Sequence, residues 1–193
     1  AREDALIDAL SHDPRVEAVE REGVARVSFV PNDPKYTEQW HMARVGAEKG
    51  WEYACGMGVT VAIIDTGVAC YDKAPFMKGT DLAGTACEGG YDFVSDRDEA
   101  ADDHGHGTHV AGTVAQTTHN GFGAAGLAFC ATLMPVKVLS RSGSGTMADV
   151  AEGIRFAASH GAQVINLSLG SPMKSRVVES AVRYAYKKGV VVV

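Results

Sequence analysis

One pattern constrains this chain more than any other: a short, apolar, mostly β-branched run that recurs. Val59-Thr60-Val61-Ala62-Ile63-Ile64 has a single polar residue. β-Branched side chains favour extended backbone. A strand that does not alternate with polar residues is one that both faces of a sheet bury. Similar runs lie at 133–139 and 164–169, and a fourth begins at 190–193. Helical patterns separate them. The stretch 110–115 follows a His/Gly-rich turn and suits a helix start. Residues 147–160 place Val150, Ile154, Ala157 and Ala158 on one side, and Gly161 ends the pattern. A second long helix spans 177–187 and stops at Gly189. Strand, helix and strand in alternation predict an α/β fold with a parallel sheet and right-handed crossovers. The last strand is expected to continue past residue 193, because ligands bind beyond the carboxyl ends of such strands.

The front of the chain reads differently. Ala5, Leu6, Ala9 and Leu10 give a short amphipathic helix over 3–12, closed by Asp13-Pro14. Val16, Ala18 and Val19, then Val24, Val27 and Phe29, suggest two short strands. Pro31-Asn32-Asp33-Pro34 is a turn or linker. This section is too short for a domain and reads as the tail of a larger one.

Composition narrows the function. With 46% hydrophobic and 22% charged residues, the chain has the make-up of a globular domain. Its net charge of −6 and lack of a basic run speak against nucleic acid as a partner. No apolar run approaches the roughly 20 residues of a membrane span. Four cysteines, Cys55, Cys70, Cys87 and Cys130, allow three full pairings. Cys130 lies in an apolar stretch and reads as a buried free thiol. Cys70 and Cys87 bracket a polar loop that a bridge would close in a secreted protein.

Two segments carry chemistry. Asp65 ends the first apolar run, in Ile64-Asp65-Thr66-Gly67. A carboxylate there is held rigidly; it is either a turn former or an orienting or catalytic acid. The second segment is Asp103-His104-Gly105-His106-Gly107-Thr108-His109. Small neighbours let the backbone pack closely and leave an imidazole free to face a cleft. Histidine is the usual general base near neutral pH, and a carboxylate beside it would set its tautomer. A histidine-ligated metal is a weaker reading, since the H-E-x-x-H pattern is missing.

Three stretches, 61–68, 104–113 and 164–170, together resemble the subtilisin family in order and spacing. Pro31-Asn32-Asp33-Pro34 and Gln39-Trp40 are similar to its thermitase-like branch. The resemblance covers about residues 31–193. It implies a three-layer, doubly wound parallel α/β sheet and serine endopeptidase activity on polypeptide substrates. Asp65 would be the triad aspartate and His106 the general base. His109 would be a structural helix residue facing away. Gly143, Ser144 and Gly145 resemble the edge that pairs with substrate backbone. Ser168, Leu169 and Gly170 resemble the opposite edge.

The same comparison implies calcium, held by Asp33, Asp81 and Asn120 with carbonyls near Thr117, Phe122 and Ala124. The acidic run Asp92, Asp96, Asp98, Asp102 and Asp103 reads as a solvated loop or a weaker second site. Residues 1–30 resemble the end of an inhibitory prodomain, and 31–193 the N-terminal part of the catalytic domain. Its partners would then be its own prodomain and the C-terminal half of that domain. Secretion is implied likewise. The family's Gly-Thr-Ser-Met-Ala segment is absent from the 193 residues. By itself this polypeptide is therefore expected to be inactive. Asp-Thr-Gly also occurs in aspartic proteases, but those pair two carboxylates and leave the His-rich segment unexplained. A non-catalytic α/β binding module is the other alternative. A nucleotide-binding fold lacks its G-x-G-x-x-G after the first strand.

Overall fold

The computed structural model describes residues 2–21 and 29–193. Its centre is a five-stranded parallel sheet. The strands are β1 (Thr60–Asp65), β2 (Tyr91–Asp92), β3 (Thr132–Lys137), β4 (Val164–Asn166) and β5 (Val191–Val192), in the order β2-β3-β1-β4-β5. The chain begins the sheet at its middle strand, lays down the edge strand β2, inserts β3 between the two, and then adds β4 and β5 on the other side.

The helices explain why the apolar runs lack polar alternation. α1 is Arg2–Ser11, α2 Trp40–Val45, α3 Ala47–Trp51, α4 His106–Ala115, α5 Met147–Ser159 and α6 Arg176–Lys187. Successive side chains on a strand point to opposite faces. Val61 and Ile63 pack with Leu133 against Ala111 and Ala115 of α4. Ala62 and Ile64 pack with Met134 and Val136 against Val150, Ile154 and Ala157 of α5. Ala181 and Ala185 of α6 extend that second layer. Each fully buried Ile or Val contributes about 1.5–3 kcal/mol relative to exposure. The result is the three-layer α/β arrangement expected.

Several boundaries shift. The third apolar run is a strand only over Val164–Asn166, with one further hydrogen bond from the Leu167 N–H to the Val193 carbonyl. α4 starts at His106 itself, four residues ahead of the expected start. The two-residue strand β2 and the short helices α2 and α3 were not foreseen, as each is too brief for a periodic signal. The helix at the front forms, with none of its residues buried. The strand expected at 16–19 does not; those residues are irregular. The strand expected around Val24 and Val27 lies outside the described residues.

Cys70 pairs with Cys87. Cys130 is not a free thiol: it pairs with Cys55 across 75 residues, at a Cα separation of 5.2 Å. The Cys130 N–H donates to the Cys55 carbonyl, so the two segments already lie side by side. Nothing local in either segment announces that contact. Among the described residues, no helix is long and apolar enough to cross a membrane.

α5 approaches the sheet closely because Gly153 faces it. A Cβ there would sit 2.8 Å from Val138 Cγ1 and 3.1 Å from Val136 Cγ1. Branched core side chains have little room to give. Gly153→Val is expected to destabilise the fold by about 2 kcal/mol or more through overpacking, read as a lower urea midpoint at unchanged slope.

Candidate active site

The site is built where β1 and β3 end side by side. Asp65 and Lys137 are register partners at those ends. From β1 the chain leads to α4 on one face; from β3 it leads to α5 on the other. The crevice beyond such a divergence is where ligands bind in open α/β sheets.

Asp65 is completely buried, and His106 lies against it. His106 Nδ1 is 2.8 Å from Asp65 Oδ1 and 2.9 Å from Oδ2. The imidazole is 44% exposed while the carboxylate is 0% exposed. A carboxylate can only accept, so Nδ1 carries the proton and Nε2 is left as the basic nitrogen. The Thr66 N–H also donates to Asp65 Oδ1, at 2.6 Å.

The fold forces this contact through the turn before α4. Gly107 follows His106, and a Cβ there would overlap the Gly67 carbonyl oxygen. No other residue lets α4 start so close to the end of β1. Asp102 then organises the turn. Its Oδ1 accepts from the N–H groups of His104 and Gly105 and from Thr66 Oγ1, at 2.9–3.0 Å. Its Oδ2 accepts from Thr108 N at 2.9 Å and Thr108 Oγ1 at 2.5 Å. Burial pushes the Asp102 carboxyl up, but the Thr108 hydroxyl and the backbone N–H donors outweigh it and hold it below its ordinary value.

Two sequence-derived segments face each other across a cleft of about 360 Å³. Gly143, Ser144 and Gly145 form one wall and Ser168, Leu169 and Gly170 the other, with Leu139, Met147 and Val150 beneath. The loop on the first wall is closed by Ser140 N and Oγ, each donating to the Ser144 carbonyl at 2.9 Å. His104 reaches this wall: a Cβ on Gly143 would lie 3.1 Å from His104 Nε2. The cleft therefore borders the His106 turn. His109 lines a different cleft, with His41 and Gln39.

Asp33, Asp81 and Asn120 also come together. Asp33 is 3% exposed, and its carboxylate accepts from the N–H groups of His119 and Asn120. Asp81 accepts from Asn120 Nδ2 at 2.9 Å and from Ala124 N at 3.1 Å. Thr117 N–H donates to the Asp81 carbonyl, and Phe122 N–H to Asn120 Oδ1. Among the described residues, neither carboxylate has a Lys or Arg partner. Buried carboxylates are normally paired or bind a cation. Here the carboxylates accept only backbone N–H groups and the Asn120 amide, so their charge is met by no basic side chain among the described residues, and carboxylate oxygens of this kind suit a hard cation.

The acidic run behaves otherwise. Asp92 pairs with Arg97 at 3.0 Å, Asp96 accepts from the Tyr91 hydroxyl, Asp102 serves the turn, and Asp103 pairs with Lys137 at 2.7 Å. These four carboxylates are engaged with separate protein partners, while Asp96, Asp98 and Asp103 of the run lie exposed. Among the described residues, no three His, Cys, Asp or Glu side chains converge to hold a metal.

Sequence reasoning missed Lys137. It is 1% exposed and donates to the Thr66 carbonyl, the Leu139 carbonyl and Asp103. The signal was a lysine inside an apolar strand run, which must find acceptors when buried. Sequence reasoning also missed the role of Asp102, because its donors come from three segments.

The model of the subtilase family matches residues 56–193. The chain belongs to the subtilase family. It is 43% identical over 166 residues to thermitase of Thermoactinomyces vulgaris, an overlap of 86% of this chain and 57% of that protein. It is 39% identical over 192 residues to a thermophilic serine proteinase of Bacillus sp. (strain AK1), covering 98% of this chain and 46% of that one. Among solved structures, a protease from Pseudoalteromonas arctica PAMC 21717 superposes with a TM-score of 0.73 at 33% identity, over 86% of this chain and 58% of that one. The chain thus spans about half the length of these relatives.

Asp102 generates a pH-dependent expectation. Its folded-state value is lowered, so its contribution is present above the unfolded carboxylate range of about pH 4 and is lost as pH falls through the folded value. Asp102→Asn is expected to be less stable than wild type at pH 7 by roughly 1–2 kcal/mol, the scale of charge-assisted hydrogen bonds at a half-exposed site. The gap should narrow below about pH 4. Urea midpoints of both proteins from pH 2 to pH 7 check this.

Proposed function

We propose that this chain is the N-terminal part of the catalytic domain of a secreted serine endopeptidase, with Asp65 and His106 as two members of an Asp-His-Ser triad. The contact between the buried Asp65 carboxylate and His106 Nδ1 carries the reading. It leaves His106 Nε2 as acceptor for the proton of a serine hydroxyl. As the imidazole becomes cationic, Asp65 stabilises the charge and keeps the ring oriented. His106 then returns the proton to the leaving amine. The serine would come from a segment beyond residue 193. A substrate peptide would lie extended between 143–145 and 168–170, pairing its backbone with these edges. The 360 Å³ cleft between them would take its side chains.

Residues 1–30 are read as the end of a prodomain. Phe29, packed on Trp51, His119 and Phe129, already touches the body of the catalytic unit. Secretion is supported by two disulfides, which persist in oxidising surroundings.

The activity is tested on the full-length protein with a peptide substrate. His106→Ala and Asp65→Asn are each expected to lower kcat by about 10⁴. A fluorophosphonate should label the full-length protein and leave the 193-residue polypeptide unlabelled. Undiminished turnover in His106→Ala overturns the triad, and stoichiometric labelling of the shorter polypeptide overturns the placement of the serine.

Calcium belongs to the same proposal. Asp33, Asp81 and Asn120 would hold it through side-chain oxygens, and Thr117, Phe122 and Ala124 through carbonyls. When bound, it supplies positive charge between two carboxylates and ties the segment at Asp33 to the disulfide-closed loop carrying Asp81. A chelator is expected to lower Tm by several degrees, as loss of about 2–4 kcal/mol of binding free energy would. Asp81→Ala should abolish that sensitivity; a Tm indifferent to both calcium and chelator counts against the site.

A further inference from the structure

We propose that Lys137, paired with Asp103, is a positioning residue that holds the Asp65–His106 pair in place. For its activity readout the inference rests on the peptidase reading above; for its placement it rests on geometry alone. Lys137 Nζ donates to the Thr66 carbonyl at 2.6 Å, the Leu139 carbonyl at 2.7 Å and Asp103 Oδ1 at 2.7 Å. An ammonium has three protons, and each acceptor takes one. The acceptors belong to three different segments. Thr66 follows Asp65. Leu139 leads into the substrate-facing loop at 143–145. Asp103 lies three residues before His106.

The ammonium is buried to 1% exposure, and two neutral carbonyls do not balance its charge. Asp103, with its side chain 35% exposed, does. The turn bearing His106 is therefore held twice. Lys137 anchors it through Asp103, while Thr66 Oγ1 and the Thr108 hydroxyl anchor it through Asp102. Thr66 takes part in both: its carbonyl meets Lys137 and its hydroxyl meets Asp102. A buried ion pair is poor evidence for stability, since apolar residues of similar size often substitute without loss. An apolar side chain can fill this space, but it cannot draw three oxygens from three segments to one point. Placement is therefore the role that the geometry assigns. A misplacement of about 1 Å in such a pair can cost on the order of 100-fold in rate.

The test uses the full-length protein with Asp103→Asn, Lys137→Met and the double variant. Asp103→Asn keeps size and shape at a partly exposed position. It is expected to lower kcat about tenfold with KM within about twofold. Lys137→Met should lower kcat about 100-fold. The double variant should lose no more than Lys137→Met alone, because the pair is already broken. The low-field NMR signal of the His106 Nδ1 proton, which needs no turnover, should shift or broaden in all three. The proposal is overturned if Asp103→Asn and Lys137→Met fold normally and keep wild-type kcat with that proton unmoved. Losses confined to KM, or losses that add in the double variant, overturn it too. If Lys137→Met does not fold, Asp103→Asn alone decides. A wild type that turns over no peptide defeats the peptidase reading instead, and the Nδ1 proton still decides the role of Lys137.

Discussion

A carboxylate with no exposed surface is expensive unless its environment answers it, and Asp65 at the end of β1 is such a group. Its answer comes from the Thr66 amide and from the imidazole of His106, 41 residues on. Much of the surrounding structure follows from that need. α4 starts where it does so that His106 can reach back. Gly107 is required because the start of that helix and the end of β1 share the same space. Asp102 gathers the N–H groups of the turn, and Thr66 bridges the turn to the strand.

The core serves the same end. The sheet begins at its centre, so Asp65 leaves a strand flanked on both sides and covered on both faces. Such a strand has little freedom to shift, and a side chain at its tip inherits that rigidity. The edges at 143–145 and 168–170 come from the ends of β3 and β4, the two neighbours of β1.

The parts that read well in the sequence are those with a local physical signature. The runs at 59–64 and 133–139 became β1 and β3 because nothing but burial on two faces suits them. The spacing of Val150, Ile154 and Ala157 became the inward side of α5. Parts without such a signature were misread. Cys130 looked like a buried thiol because its partner, Cys55, lies 75 residues away. The acidic run read as a solvated loop or a second cation site, and neither reading named the partners that its carboxylates find. In the fold, Arg97, Thr108 and Lys137 each claim one of its carboxylates.

By itself the sequence determined the class of fold, because hydrophobic periodicity is a local property, and its resemblance to the subtilisin family singled out Asp65 and His106 among the acidic and histidine residues. Only the tertiary structure decided which carboxylate answers which donor. It placed Asp65 on His106, Asp102 on the turn, and Asp103 on Lys137, and it turned both Asp33 and Asp81 onto the segment 119–124, with no basic side chain beside them among the described residues. Those choices depend on which segments the sheet brings into hydrogen-bond range. That range is a few ångströms, whereas the segments lie tens of residues apart along the chain, so no local pattern can encode them.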